Sequence, residues 1–367
     1  MPQRVSYRDR VRARIERYQP ADLEEFCAFR RTLFGADSYV SHPEYVRWLY
    51  ERDDSPPLWL YRLNGALEAF HGSIVTTVYV NGRPYPAIWA VELLVSPAQL
   101  MRGVGAVLAE HAIADFPLAL GFDVTDAGKQ LVRRAGWSEL GDVALFSRPV
   151  RARPFAEARG RPLPTPVAWS IDVALRATEI AMSAWRQLRG QALIEVDRFD
   201  GRVDALWSST VPHYSVIAKR DAAWLNWRFA DYPESGYYRR FILRHGDRIA
   251  GCAVMRLEPR DGILAGWIVD FLCPPRSAVG LLLACAGWLR HQGADAVYCI
   301  QQDRRLTRWL LACGFIRRST GFPLVVFGPG VTGRGRDRFL TLEDWFITGG
   351  DSNVDRPRSN VTDVYST

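Results

Sequence analysis

Lysine is almost absent from this sequence. Only Lys129 and Lys219 are lysines, so 45 of the 47 basic residues are arginines. These arginines are scattered along the chain and form no basic stripe of the kind that follows a phosphate backbone. The net charge of +7 therefore does not predict nucleic-acid binding.

The sequence also lacks the cysteine and histidine spacings that are typical of metal sites. None of the six cysteines forms a C-x-x-C pair, and none of the six histidines forms an H-x-x-x-H pair. Most of the cysteines stand in apolar segments such as LLLACAGWL, which is typical of reduced core residues. We therefore predict neither a disulfide framework nor a metal site.

The sequence also lacks long hydrophobic runs. The longest, Ala278 to Leu289, has twelve residues, whereas a membrane-spanning helix needs about 20. The N-terminal segment has no apolar stretch behind its charges, so it does not resemble a signal peptide. These observations predict a cytoplasmic protein without a membrane span.

What is present suggests two domains, since 367 residues exceed the usual size of one. A segment rich in proline and arginine, Pro149 to Pro166, has the composition of a linker. Val167 to Leu188 has helical apolar spacing and predicts a connecting helix, with a membrane-surface helix as the alternative. We predict a first domain at 1–150, a linker and helix at 151–195, a second domain at 196–348, and a loosely ordered polar tail at 349–367.

The two halves share landmarks at a nearly constant offset, which indicates an internal repeat. Trp48 and Trp227 occupy similar aromatic segments at an offset of 179. ELLVSP at 92–97 resembles DFLCPP at 270–275, and AGW at 135–137 resembles CGF at 313–315, both at an offset of 178. Chance is the alternative, because each match is short. The aromatic segments themselves are more typical of core than of a sugar-binding platform.

Each half has the same coarse order of helices, an antiparallel meander with turns such as NGRP, and further helices. The predicted fold class is mixed α/β, with a largely antiparallel sheet flanked by helices.

The most informative segment runs from Val91 to Glu110, where an apolar strand and a short loop lead through R-G-V-G into a helix. Exposed backbone N–H groups and the positive end of the helix converge there, which favours an anion such as a pyrophosphate. Leu108 replaces the third glycine of the dinucleotide fingerprint, and no Walker loop is present. A tight helix entry without a ligand is the alternative.

This loop, followed further along the chain by AGKQLVRRAGW at 127–137, resembles the two core motifs of the GNAT superfamily of acyl-CoA N-acyltransferases. The resemblance covers about residues 11–148, and 196–330 only through the repeat. It implies two tandem GNAT-like domains, the second degenerate because Leu281 and Leu283 replace Gly103 and Gly105. It also implies that the first domain binds coenzyme A pyrophosphate. The implied cofactor-binding residues are Val95, Arg102, Gly103, Val104, Gly105 and Ala106.

Two positions depart from the family pattern. Leu100 stands where the family has arginine or glutamine, and Val132 stands where many members have the tyrosine that protonates the leaving thiolate. The general acid is therefore missing or supplied elsewhere.

Acyl transfer to an amine needs a proton acceptor and donors for the oxyanion. Glu92 lies in an apolar strand directly before the loop, where desolvation would raise its pKa towards that of a base. We take Glu92 as the first candidate base and His71 as the second; the alternatives are an ion pair with an arginine and a structural histidine. By resemblance, a backbone N–H near Val95 would serve as the oxyanion donor.

The sequence thus predicts an N-acyltransferase that moves an acyl group, by default acetyl, from coenzyme A to a primary amine in a ternary complex. The acceptor could be a small molecule, an amino sugar or a peptide. Two alternatives remain open: a non-catalytic tandem binding protein, and an acyltransferase whose donor is an acyl carrier protein.

Overall fold

The computed structural model describes residues 6–52, 57–188, 190–234 and 236–355. Within them, the first half contains five α-helices and six strands, which follow the predicted order except that an unpredicted helix, α1, comes first. They are α1 Tyr7–Arg12, β1 Ile15–Arg17, α2 Leu23–Phe34, α3 Pro43–Tyr50, β2 Leu58–Leu63, β3 Ala66–Val80, β4 Arg83–Val95, α4 Val104–Ile113, β5 Leu118–Phe122, α5 Asp126–Arg134 and β6 Ser138–Pro149.

Two helices, α6 Ala152–Glu157 and α7 Thr165–Leu188, connect the halves, and α7 lies where the sequence predicts a connecting helix. The second half then repeats the order of the first. Its elements are β7 Gln191–Val196, α8 Gly201–Thr210, β8 Val216–Ala218, α9 Ala222–Phe229, β9 Arg239–His245, β10 Arg248–Arg260, β11 Ile263–Leu272, α10 Ala278–His291, β12 Ala296–Ile300, α11 Arg304–Ala312, β13 Ile316–Phe327, α12 Arg334–Phe339 and β14 Trp345–Phe346.

All the strands of the described ranges join one 14-stranded sheet, whose main path is β1-β2-β3-β4-β5-β13-β6-β12-β11-β10-β9-β7. Only three of its strand pairs, β4–β5, β11–β12 and β8–β14, are parallel. The predicted fold class, a largely antiparallel sheet flanked by helices, is confirmed.

The halves exchange their last strands. β13 of the second half lies between β5 and β6, and β6 of the first half pairs with β12. Each half therefore completes the sheet of the other, so the sequence boundary near residue 150 does not coincide with a break in the sheet.

The two faces of the first-half sheet carry different helices because side chains alternate along a strand. Leu60 and Phe70 belong to the core that includes α2 and α3, whereas Trp59 and Ala69 pack with α4. The first candidate base and the glycine loop consequently lie at the end of β4, between two helical layers.

The first part of the predicted loosely ordered tail, 349–355, is packed into the core. Gly349, Gly350, Asp351 and Asp355 are buried. The Gly350 N–H donates to the Val269 carbonyl at 3.0 Å. Residues 356–367 lie outside the described ranges.

The six cysteines are all described and, as predicted, are all buried; each is a free thiol. In the described ranges we find no group of three or more His, Cys, Asp or Glu side chains placed to hold a metal ion. No helix in the same ranges is long and apolar enough to cross a membrane.

Candidate acyl-CoA site

The glycine loop forms the start of α4. Gly103 is the residue before the helix and has φ +78°, a left-handed conformation that favours glycine. No side chain caps this helix end, so the N–H groups of Val104, Gly105 and Ala106 have no partner within the helix. Because the loop is exposed at Arg102 and Gly103, these donors and the positive end of the helix can receive an anion from solvent.

Strand β4 continues past its parallel neighbour. The β4–β5 ladder pairs Ala87 through Trp89 with Leu118 through Leu120 and then stops, while β4 runs on to Val95. A side chain at Gly105 would lie 3.4 Å from Cγ2 of Val95 and 3.9 Å from Cδ1 of Leu131 in α5. The start of α4 is thus held between α5 and the end of β4, which there pairs with β3 but no longer with β5.

Glu92 is enclosed on the other face of β4. Its Oε1 accepts from Arg30 NH2 at 3.0 Å, and its Oε2 accepts from Tyr50 Oη at 2.6 Å and from Arg30 NH1. The side chain of Glu92 is 3% exposed and that of Arg30 is fully buried. The ion pair weighed as an alternative at the sequence level is therefore present, and it favours the carboxylate form.

A β-bulge lies next to Glu92. The β3–β4 register shifts between Gly72, opposite Glu92, and Ser73, opposite Ala90, so Val91 is the extra residue. A bulge re-aims the groups around it. The main chain of Val91 is consequently turned out of the regular ladder immediately before the candidate base.

His71 faces the α4 side of the sheet. Its ring is buried, lies edge-on to Trp59 at 6.0 Å, and has Nδ1 3.3 Å from Oγ of Ser73. Burial lowers the pKa of His71 to about 4, so the imidazole is neutral at pH 7. A base with so low a pKa accepts protons poorly. The catalytic role of His71 stays a prediction.

Val132 and Leu100 are the two positions at which the sequence departs from the family pattern, and the structure shows the surroundings of both. Val132 packs against a small core cluster with Trp137 and Val325, so no hydroxyl is present at this position of α5. Leu100 is 56% exposed and Met101 fully exposed, which places apolar rather than basic side chains before Arg102.

The second copy presents leucines where the first presents glycines. α10 begins at Ala278, about one turn earlier than the repeat offset predicts, and Leu281 and Leu283 are buried in it. Cδ2 of Leu281 lies 3.0 Å from the point where a Cβ at Gly251 would stand. The leucine thus fills the space beside the bulge between β9 and β10, where the register shifts between Ile249 and Gly251.

Sequence reasoning missed Arg30, Tyr50 and Gly72. Nothing distinguished Arg30 from the other arginines, because its partner Glu92 is distant in the sequence. Tyr50 lies in the aromatic segment around Trp48, which the sequence predicts as core. Gly72 did carry a signal, since a lone glycine within a strand often marks a bulge or a close backbone approach.

One open cavity of about 480 Å³ lies at the opposite end of α4. None of the predicted site residues lines it. Its wall includes Glu110, Phe116, Arg134 and Phe327.

No protein-family model and no curated protein matches this chain. Solved structures do. A GCN5-related N-acetyltransferase from Anabaena variabilis is 13% identical, with a TM-score of 0.60 over 86% of this chain and 72% of its own. A GCN5-related N-acetyltransferase from Kribbella flavida is 14% identical, with a TM-score of 0.57 over 85% and 71%.

The N-myristoyltransferase of Saccharomyces cerevisiae, solved with bound myristoyl-CoA, is 12% identical, with a TM-score of 0.52 over 89% of this chain and 84% of its own. At such identities the likeness establishes a shared fold. The chain therefore has the fold of the GCN5-related N-acetyltransferases, and the resemblance predicted from its motifs is confirmed at that level.

Proposed function

We propose that this protein is an acyl-CoA-dependent N-acyltransferase. The observation that carries the proposal is the exposed, uncapped start of α4 beside the parted ends of β4 and β5. It is supported by the fold, which is shared with structures named as N-acetyltransferases and with one holding myristoyl-CoA. Gly103, Val104, Gly105 and Ala106 would hold the pyrophosphate through backbone N–H groups, and Arg102 would add a positive charge.

The reaction we propose is direct attack of a neutral amine on the thioester carbonyl carbon. The new C–N bond forms, the C–S bond breaks, the amine proton passes to a base and the departing thiolate takes up a proton. Glu92 is the first candidate base, because it stands at the bulge directly before the loop and its carboxylate accepts hydrogen bonds from Arg30 and Tyr50. Val95 N–H is the candidate oxyanion donor. The acceptor is the primary amine of a small molecule, an amino sugar or a peptide, and acetyl is the default acyl group.

A non-catalytic acyl-CoA-binding protein is the second candidate. It is favoured by the enclosure of Glu92, whose side chain is 3% exposed and paired with Arg30. Binding of acyl-CoA without transfer to any amine would be its signature.

Thermal unfolding with and without acyl-CoA tests the proposal, because a ligand that binds only the folded state raises the melting temperature. At a ligand concentration of 100 times Kd, linkage gives about 2.7 kcal/mol, or a rise of roughly 4 °C for a chain of this size. Acetyl-CoA and longer acyl-CoAs should be compared, because the acyl chain length that raises the melting temperature most indicates the depth of the acyl pocket.

Ala106→Glu is the variant for this test, with Ala106→Gln as its matched control. A carboxylate in the first turn of α4 suits the helix dipole but repels a pyrophosphate. We expect the rise in melting temperature to disappear in Ala106→Glu and to persist in Ala106→Gln. If no acyl-CoA stabilises the wild type, the acyl-CoA site is wrong. If acyl-CoA binds but no amine in a broad screen releases free thiol, the second candidate is favoured.

A further inference from the structure

Three polar side chains meet in the core under β4. Arg30 from α2 and Tyr50 from α3 both donate to the Glu92 carboxylate, and Arg30 Nε also donates to the Val40 carbonyl at 2.7 Å. All three side chains are at least nine-tenths buried. Two independent helices thus fix the direction of a single carboxylate at the bulge.

The phenol of Tyr50 reaches this position because residue 72 is glycine. A Cβ at Gly72 would stand 2.1 Å from Tyr50 Oη and 2.6 Å from Cζ, closer than any two unbonded atoms approach. Gly72 is also the last residue before the register shift, directly opposite Glu92. The Tyr50 hydroxyl therefore lies against the main chain of Gly72, where the pairing of β3 with β4 becomes irregular.

The second half provides an internal comparison. Asp270 stands at the repeat position of Glu92, next to the same kind of bulge in β10–β11. Phe229 stands at the position of Tyr50, and it has no hydroxyl to donate. Asp270 Oδ1 accepts from Arg220 and Thr348, while Oδ2 is buried without a partner among the described residues.

In the second half the hydroxyl that donates to the carboxylate comes from Thr348, at 2.9 Å from Asp270 Oδ1, whereas a phenol occurs only in the half that keeps the open glycine loop. The second copy retains the carboxylate, an arginine partner and the bulge, but it has lost both the tyrosine and the loop glycines. The two halves differ in the source of the hydroxyl: Tyr50 comes from α3 of the first half, whereas Thr348 follows β14.

We propose that Tyr50 is a positioning residue for Glu92: its hydroxyl holds one carboxylate oxygen at the Val91 bulge, so that the carboxylate faces the place where the amine proton is released. This inference rests on the proposed function. Tyr50 contacts no reacting atom itself and acts through Glu92.

The hydroxyl should also set the charge of the carboxylate, because a hydrogen bond donated to the ionised form favours that form. The ionisable groups packed around Glu92 are Arg30 from α2 and Tyr45 and Tyr50 from α3, while His71 of β3 points to the other face. Burial raises the pKa of Tyr50 well above its ordinary value, so the phenol stays a donor at every ordinary pH. Loss of the hydroxyl should raise the pKa of Glu92.

Tyr50→Phe, which installs the residue of the second copy, is the test variant. Tyr18→Phe is its matched control, because Tyr18 Oη donates to Glu51 at 2.7 Å in the same half but does not touch Glu92. The first readout is a ¹³C NMR titration of the glutamate carboxyl carbons of the full chain, with the Glu92 signal assigned by Glu92→Gln. We expect Tyr50→Phe to move the Glu92 midpoint up by about one pH unit, tenfold in the protonation equilibrium, and Tyr18→Phe to leave it unchanged.

The second readout is thiol release from acetyl-CoA with an amine that the wild type accepts. Tyr50→Phe should lower kcat and move the acidic limb of the pH profile up with the Glu92 midpoint, with KM for acetyl-CoA unchanged. An unmoved midpoint, or an equal loss of kcat in Tyr18→Phe, would overturn the inference. If no amine is accepted, the proposed function fails, whereas the titration still decides whether Tyr50 controls Glu92.

Gly72→Ala tests the effect of the Tyr50 hydroxyl on Glu92 in a second, independent way. Its methyl group would displace the phenol, so the variant should reproduce the Glu92 titration of Tyr50→Phe. Gly287→Ala is the control, because a Cβ at Gly287 would meet nothing within 4 Å. A normal Glu92 midpoint in folded Gly72→Ala would contradict the close approach of Tyr50.

Discussion

The indole of Trp48 stacks on that of Trp227, and each Nε1–H donates to the main-chain carbonyl of the other at 2.8 and 2.9 Å. These two tryptophans are the residues that the internal repeat places at equivalent positions. A contact in which residue i meets j as j meets i is characteristic of a two-fold axis. The halves thus meet about a local two-fold axis at α3 and α9, which agrees with the duplication that the landmarks predict.

Trp48→Phe and Trp227→Phe should each destabilise the protein by about 1–3 kcal/mol, because each removes one N–H donor and leaves a buried carbonyl without its partner. The two bonds share one stacked pair, so we expect the double variant to lose less than the sum of the single losses. Urea unfolding of the four proteins measures this coupling. Strict additivity would show that the two bonds act independently.

The strand exchange predicts that residues 1–150 do not fold alone. β13 lies between β5 and β6, so its removal exposes the edges of both strands, and exposed edges promote aggregation. The ¹H–¹⁵N spectrum of the isolated fragment should lack dispersion, or the fragment should be insoluble. Co-expression with 151–367 should recover a soluble complex. A well-dispersed spectrum of 1–150 alone would contradict the importance of the exchange.

His71 should make stability fall in mild acid. Its pKa is about 4 in the folded protein against 6.5 when exposed, so the unfolded chain binds the proton first as pH falls. The stabilisation is complete above pH 6.5 and is lost progressively towards pH 4, by about 3 kcal/mol in total. The free energy of unfolding of His71→Gln should lose this part of its pH dependence.

His245→Gln is the control for that series, because His245 is exposed. Its pH dependence should match that of the wild type. If His71→Gln also follows the wild type between pH 4 and 6.5, the buried neutral imidazole is not the cause of the acid sensitivity.

Much of the fold could be predicted from local patterns, and the glycine loop from its motif. α4 begins where the glycine loop precedes apolar spacing, and Gly103 has the conformation that such a loop requires. The exchange of β6 and β13 could not be predicted, because strand pairing between the two halves of the chain leaves no local mark. The same holds for Arg30, which is paired by tertiary packing with Glu92.

The buried C-terminal segment was also beyond local reasoning. The composition of 349–355 is polar, which favours a solvated tail, but its acidic residues are further carboxylate partners for arginines that are buried in the core. Arg220 pairs with Asp270 and Asp351, and Arg256 pairs with Asp355. Polar residues in this segment are core residues because the core already contains their counter-charges.

Asp355→Asn should therefore be strongly destabilising. The Asp355 carboxylate accepts from Arg256 Nε at 3.0 Å and from NH2 at 2.7 Å, and the side chains of Arg256 and Asp355 are only 5% and 7% exposed. The variant removes the charge-assisted bonds to Asp355 and leaves the buried Arg256 with Glu258, at 2.6 Å, as its remaining carboxylate partner, which costs about 2 kcal/mol. Asp231→Asn is the matched control, because its partner Arg198 is 57% exposed and such pairs contribute at most about 1 kcal/mol. Urea midpoints that fall equally in both variants would show that the tail segment is not held by its buried charge.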